Sequence, residues 1–209
     1  MYLFVRRRTC APDRIADATG FAIDMCNRVS GITGLTFSAW QVAFGAPVGT
    51  FSWSTTLESH AALGEATEKL AADSGYIDAV QSGAELFVGP AEDSLVDIVA
   101  TVGDGGHRGG IASLITAEVA AGNLAEAVGW GVEMMEHVAG VTGRDGLFTR
   151  SMYGPWAQVG WISLADSFEQ VDEETAAVAA DPQYLTMVDA GTPLFLPGSG
   201  HGTLSRRIT

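Results

Sequence analysis

Residues 53–87 of this chain are written twice. Trp53 to Phe87 reads WSTTLESHAALGEATEKLAADSGYIDAVQSGAELF, and 108 positions further on Trp161 to Phe195 reads WISLADSFEQVDEETAAVAADPQYLTMVDAGTPLF. Without a gap, Trp53, Ser59, Glu65, Ala71, Ala72, Asp73, Tyr76, Gly83 and Phe87 meet Trp161, Ser167, Glu173, Ala179, Ala180, Asp181, Tyr184, Gly191 and Phe195. A fixed-period repeat narrows the fold more than any composition does, because each copy must be one folding unit. At a shift of 109 the segment upstream matches as well: Ala18, Gly20, Met25, Val29, Gly31 and Gly34 meet Ala127, Gly129, Met134, Val138, Gly140 and Gly143. The one-residue change falls at a turn where Ala46 is extra, and turns are where insertions are tolerated.

Each copy reads as the same series of elements. Tyr2 to Thr9 alternates around β-favouring residues and predicts a strand. Asp13 is expected to cap a helix with Ile15, Ala18, Ala22, Met25, Cys26 and Val29 at helical spacing, closed by Gly34. Thr36 to Phe44 and Gly49 to Leu57 predict a hairpin turned at Gly45-Ala46-Pro47. Ser59 and Asp73 cap a helix over 60–72 and a short one after it. Leu95 to Val102 closes the copy as a strand. The second copy repeats this: strand 111–119, helix 124–138, hairpin 147–164 turned at Gly154-Pro155, two helices, and strand 203–209. Trp40, Trp53, Trp156 and Trp161 fall on the predicted hairpin strands. The order is β-α-β-β-α-β, a ferredoxin-like unit of the α+β class. Repeat 1 spans 1–102, a glycine-rich linker 103–110, and repeat 2 111–209. A sheet with helices on one face leaves the other bare, so two tandem units are expected to cover each other as a pseudo-dimeric barrel. The chain thereby imitates a dimer, and a homodimer of the whole remains open to it.

Composition narrows the partners. Net charge is −14, which repels phosphate backbones and anionic lipid surfaces, so neither nucleic acid nor a membrane is expected. No apolar stretch follows the run Arg6-Arg7-Arg8, so no secretory signal is expected, and no window reaches the length of a membrane span. Cys10 and Cys26 stand at no metal-ligand spacing and read as free thiols in a reducing, cytoplasmic compartment.

The pattern of a tryptophan strand, then Ala179-Ala180-Asp181-Pro182-Gln183-Tyr184, a short helix and a closing strand with Ser205-Arg206-Arg207-Ile208, resembles the NIPSNAP-like branch of the dimeric α+β barrel superfamily. The first copy carries Trp53 and Ala71-Ala72-Asp73-Ser74-Gly75-Tyr76. Arg6 falls where that family often has an arginine; the second copy has Ile115 there. The resemblance implies a small-molecule-binding protein. Relatives include cofactor-free oxygenases and cyclases acting on apolar aromatic or polyketide-like substrates, haem-binding proteins, and members with no established activity.

Positions at which the copies differ rank the candidate residues. His60 pairs with Phe168, His137 with Arg28, Arg6 with Ile115, Arg8 with Ala117, and Trp40 with Thr149. His60 opens a helix and is the candidate general base. Arg6 and Arg8 share one strand face and could hold an anion. These three form the catalytic set. Trp40, Trp53 and Trp161 would wall a flat ligand, with His137 as a further ligand-binding residue. Against each stands a bland alternative: an exposed first-turn histidine, arginines paired with acids, core tryptophans, and a helix-end cation at His137. His107 and His201 sit in glycine-rich segments without metal spacing. No cofactor and no metal is expected; the alternative cofactor is haem, with His60 or His137 as axial ligand. A non-catalytic scaffold is the third reading.

Overall fold

The computed structural model describes residues 1–103 and 109–209, so most of the expected linker, with His107, lies outside the described residues. The chain runs β1 (Tyr2–Cys10), α1 (Ile15–Thr33), β2 (Ser38–Phe44), β3 (Thr50–Leu57), α2 (His60–Ala72), α3 (Ser74–Ser82) and β4 (Phe87–Val102). It then repeats as β5 (Ile111–Glu118), α4 (Leu124–Thr142), β6 (Gly146–Tyr153), β7 (Gln158–Ala165), α5 (Phe168–Ala179), α6 (Pro182–Gly191) and β8 (His201–Arg207). The fold class is α+β. By packing it forms two compact units: Met1–Leu95 with Ser205–Thr209, and Val96–Leu204. Where the sequence period puts the division at 103–110, packing puts it inside β4 and β8.

In unit 1, β1 runs antiparallel to β3 from Tyr2 opposite Leu57 to Thr9 opposite Thr50. The other edge of β3 pairs with β2, Ser38 opposite Ser54 through Gln41 opposite Phe51. The start of β4 lies beside β1 and the end of β8 beside β2, where the Ile208 amide donates to the Ala39 carbonyl at 2.9 Å. The core lies between this sheet and α1: Ala18, Ala22 and Cys26 of the helix meet Ala39, Phe51, Trp53 and Phe87. Phe51 is wholly enclosed, worth roughly 2–3 kcal/mol for its side chain alone.

Unit 2 repeats the plan. β5 pairs with β7, Ile111 opposite Ala165 through Glu118 opposite Gln158, and β7 pairs with β6. Its core joins Ala127 and Met135 of α4 to Phe148, Val159 and Leu194, with Trp130 and Trp161 packed on them.

The repeated residues have visible tasks. Ser59 and Ser167 accept the amides of Ala62 and Gln170 at 3.1 and 3.4 Å, and Asp73 and Asp181 accept those of Tyr76 and Gln183 at 2.7 and 3.0 Å. Each such cap is worth about 1 kcal/mol. Gly34 and Gly143 take left-handed φ values of 78° and 68° to close α1 and α4. Gly83 and Gly191 leave room for an aromatic ring of the first helix in each unit: a Cβ there would overlap Phe21 or Trp130.

Three local expectations are corrected. Asp13 caps nothing; Pro12–Arg14 forms a 3-10 turn with proline at its start, and α1 follows it without a side-chain cap. The closing strand of repeat 1 begins at Phe87, eight residues before Leu95; its exposed first half has no apolar pattern to announce it. Trp156 lies between β6 and β7 and is 84% exposed, so it is a turn residue.

Candidate functional site

Side chains directly opposite one another in an antiparallel pair share a face of the sheet. Arg6 is opposite Trp53 and Arg8 opposite Phe51, and the Trp53 indole donates to the Ala22 carbonyl of α1 at 3.0 Å. Arg6 and Arg8 therefore project to the helix side of unit 1. There Arg6 donates from Nε and Nη2 to the two oxygens of Asp93, at 2.8 and 2.7 Å. Asp93 raises the Arg6 pKa, with burial opposing it and Tyr76 of α3 adding to the rise. Arg8 lies over the Phe87 ring, 4.5 Å from its centroid, and donates to the Gly89 carbonyl at 3.3 Å. Burial, and then the charge of Arg6, lower its pKa.

His60 is exposed at the first turn of α2, and its ring meets Tyr2 edge-on at 4.6 Å. Tyr2 and Arg6 are four residues apart on one strand, about 13 Å. The structure thus brings Arg6, Arg8 and Trp53 onto one surface and leaves His60 at its far end. A base and an anion holder acting on one reacting atom need to stand within hydrogen-bond reach of it.

The three candidate tryptophans are packed and have their N–H groups satisfied. Trp53 contacts Phe87. Trp161 donates to the Gly131 carbonyl of α4 at 2.9 Å and meets Trp130, Phe148 and Phe195. Trp40 faces the opposite side of the unit 1 sheet from Trp53. Its N–H donates to Ser54 at 2.9 Å, and the Arg207 guanidinium stands 4.8 Å from its ring centroid.

His137 occupies a different setting. It belongs to a stripe along α4, Glu133, Glu136, His137, Gly140 and Val141, at the spacing that puts residues on one helical face. With Gln183 and Met187 of α6, the stripe lines an open cleft of about 680 Å³. His137 Nε2 is hydrogen-bonded to Asp181 Oδ2, while Asp181 Oδ1 accepts the Gln183 amide that begins α6. A carboxylate can only accept, so the shared proton sits on Nε2 and the lone pair of a neutral ring on Nδ1. Burial pushes the Asp181 pKa up, but the Gln183 amide and His137 outweigh it and hold the group below its ordinary value.

Unit 1 offers an internal comparison. At the matching position stands Arg28, and a Cβ added to Gly75 would lie 3.0 Å from its guanidinium and 3.3 Å from Asp73. The long cation therefore extends over the start of α3, where unit 2 has the shorter imidazole. The sequence reading singled out His137 but missed Glu133, Glu136, Asp181 and Gln183. The signal was present in the i, i+3, i+4 spacing of Glu133, Glu136 and His137, and in Asp181-Pro182 read only as a cap. Among the described residues no group of three His, Cys, Asp or Glu side chains is placed to hold a metal ion, and no helix is long and apolar enough to cross a membrane.

No family model matches the sequence, and no curated protein does. Solved structures do. A candidate monooxygenase of Fusobacterium nucleatum superposes with a TM-score of 0.73 at 9% identity, over 100% of this chain and 92% of that one. An anthrone oxidase-like protein gives 0.65 at 14% identity, over 100% and 91%. A haem-degrading enzyme of Listeria monocytogenes gives 0.55 at 8%, over 99% of each. The likeness shows the fold, that of the dimeric α+β barrel proteins. A NIPSNAP family protein of Agrobacterium tumefaciens aligns with 48% of the chain at a TM-score of 0.38, too low to carry an argument.

Proposed function

We propose that this chain binds a small molecule in the cleft between α4 and α6, with His137 as the working side chain, and that it acts as a cofactor-free oxygenase or cyclase on an aromatic substrate. The observation that carries this reading is the His137–Asp181 pair opening on a volume of about 680 Å³, within the usual size of a ligand site. Asp181 orients the imidazole and stabilises the imidazolium that forms when Nδ1 takes a phenolic or α-carbon proton. The resulting electron-rich anion is the species that dioxygen or an internal electrophile would meet. The names of the monooxygenase-like and anthrone oxidase-like neighbours agree with this chemistry. His60, Arg6 and Arg8, favoured by the sequence, would serve only a ligand reaching the helix side of unit 1, where Asp93 already engages Arg6.

Anthrone under air is the test substrate, with anthraquinone absorbance as the readout. His137→Ala is expected to abolish acceleration over buffer, and Asp181→Asn to lower it at least tenfold. Equal rates for the wild type and His137→Ala overturn the role.

The haem-degrading neighbour favours a second reading, haem binding at His137. Against it, Nε2, the less hindered nitrogen, already faces Asp181. A Soret shift with haemin that His137→Ala removes would establish it.

A further inference from the structure

The two copies of the α4-type stripe differ in a way that bears on ligand charge. Unit 1 has Asp24, Asn27 and Arg28 where unit 2 has Glu133, Glu136 and His137. We infer that the α4–α6 cleft selects an aromatic molecule carrying a protonated amine or other fixed cation, over its neutral and anionic counterparts. This rests on the cleft being a ligand site, as proposed above.

Charge complementarity is the first argument. Glu133 and Glu136 are exposed on the cleft side of α4, and Asp181 stands at the start of α6. α5, which packs on both helices, carries Glu169, Asp172, Glu173 and Glu174 outside the cleft lining. None of α4, α5 and α6 contains a lysine or an arginine. Arg144, just beyond α4, is joined to Glu173 at 3.2 Å. Among the described residues of α4 and α6, a ligand cation thus meets the carboxylates of Glu133 and Glu136 and no lysine or arginine, and Val141 and Met187 supply apolar surface for the ring.

Proton transfer supplies the second argument. Taking a proton from a neutral molecule leaves an anion beside Glu133 and Glu136, and like charges disfavour it. Taking one from a cationic molecule leaves a neutral or zwitterionic product. His137 can therefore act as a base more readily on a substrate that brings its own positive charge.

Phenethylamine, phenethyl alcohol and phenylacetate share one aromatic body and differ in charge at neutral pH. Each is titrated into the protein, with the His137 ring protons and the Met187 methyl followed by NMR. The amine is expected to bind at least tenfold more tightly than the alcohol, with phenylacetate weakest, and Glu133→Gln/Glu136→Gln is expected to bring the affinities of the three molecules together. Both glutamates are exposed, so the variant keeps the fold. Alcohol or acid binding as tightly as the amine overturns the selectivity and leaves the cleft as a ligand site. Failure of all three to move the His137 and Met187 signals at millimolar concentration overturns both.

Discussion

Arg6 and Asp93 form a two-pronged ion pair, Nε to Oδ1 and Nη2 to Oδ2, that ties β1 to β4 within unit 1. Both side chains remain substantially exposed, at 40% and 44%, so solvent screens much of the attraction. A double-mutant cycle with Arg6→Ala and Asp93→Ala is expected to give a coupling of about 1 kcal/mol in urea unfolding, favourable geometry lifting it to the top of the range for surface pairs. A coupling near zero would mean the pair is held by its surroundings.

Glycines at repeated positions should divide by their surroundings. A Cβ on Gly191 would overlap the Trp130 ring, whereas one on Gly129, exposed in α4, meets nothing within 4 Å. Gly191→Ala is expected to cost about 1–3 kcal/mol, and Gly129→Ala to add about 0.5–1 kcal/mol by favouring the helix. Thermal unfolding of the two variants reads both signs.

The thiols of Cys10 and Cys26 are 1% and 2% exposed, and burial is the leading cause that raises the pKa of each. The folded state therefore favours the neutral thiol. That contribution is complete below the ordinary thiol pKa of about 8.5 and is lost as pH climbs through the folded values. DTNB is expected to label neither thiol in native protein at pH 8 and both in denaturant. Stability by urea should decline above pH 9, less steeply in Cys10→Ala.

Asp181 behaves oppositely. Its folded pKa lies below the ordinary value, so its contribution is present above about pH 3.9 and fades as pH falls through the folded value. Asp181→Asn should lower stability at pH 6 and flatten its acid dependence between pH 4 and 2. Unchanged slopes would show that its partners do not distinguish carboxylate from amide.

The repeat made the fold legible because its identities fall on caps, glycines and core aromatics. Trp53 and Trp161 sit on equivalent strands, each with its N–H on a carbonyl of the first helix of its unit. The site was less readable. Local spacing showed that Arg6 and Arg8 share a face, but Asp93 is far away in sequence and in a segment with no strand pattern. His137 stood out by its difference from Arg28. Its pairing with Asp181 was hidden because an Asp-Pro step already has a complete explanation as a helix start. Such contacts depend on which helices lie side by side, and neither period nor propensity encodes that.

β4 and β8 each begin in one compact unit and end in the other. Severing the chain between its two copies would strip residues 205–209 from the first fragment's unit and 96–102 from the second's. What duplication wrote as two sentences, packing punctuates elsewhere: a fragment cut at the repeat boundary lacks part of its own unit.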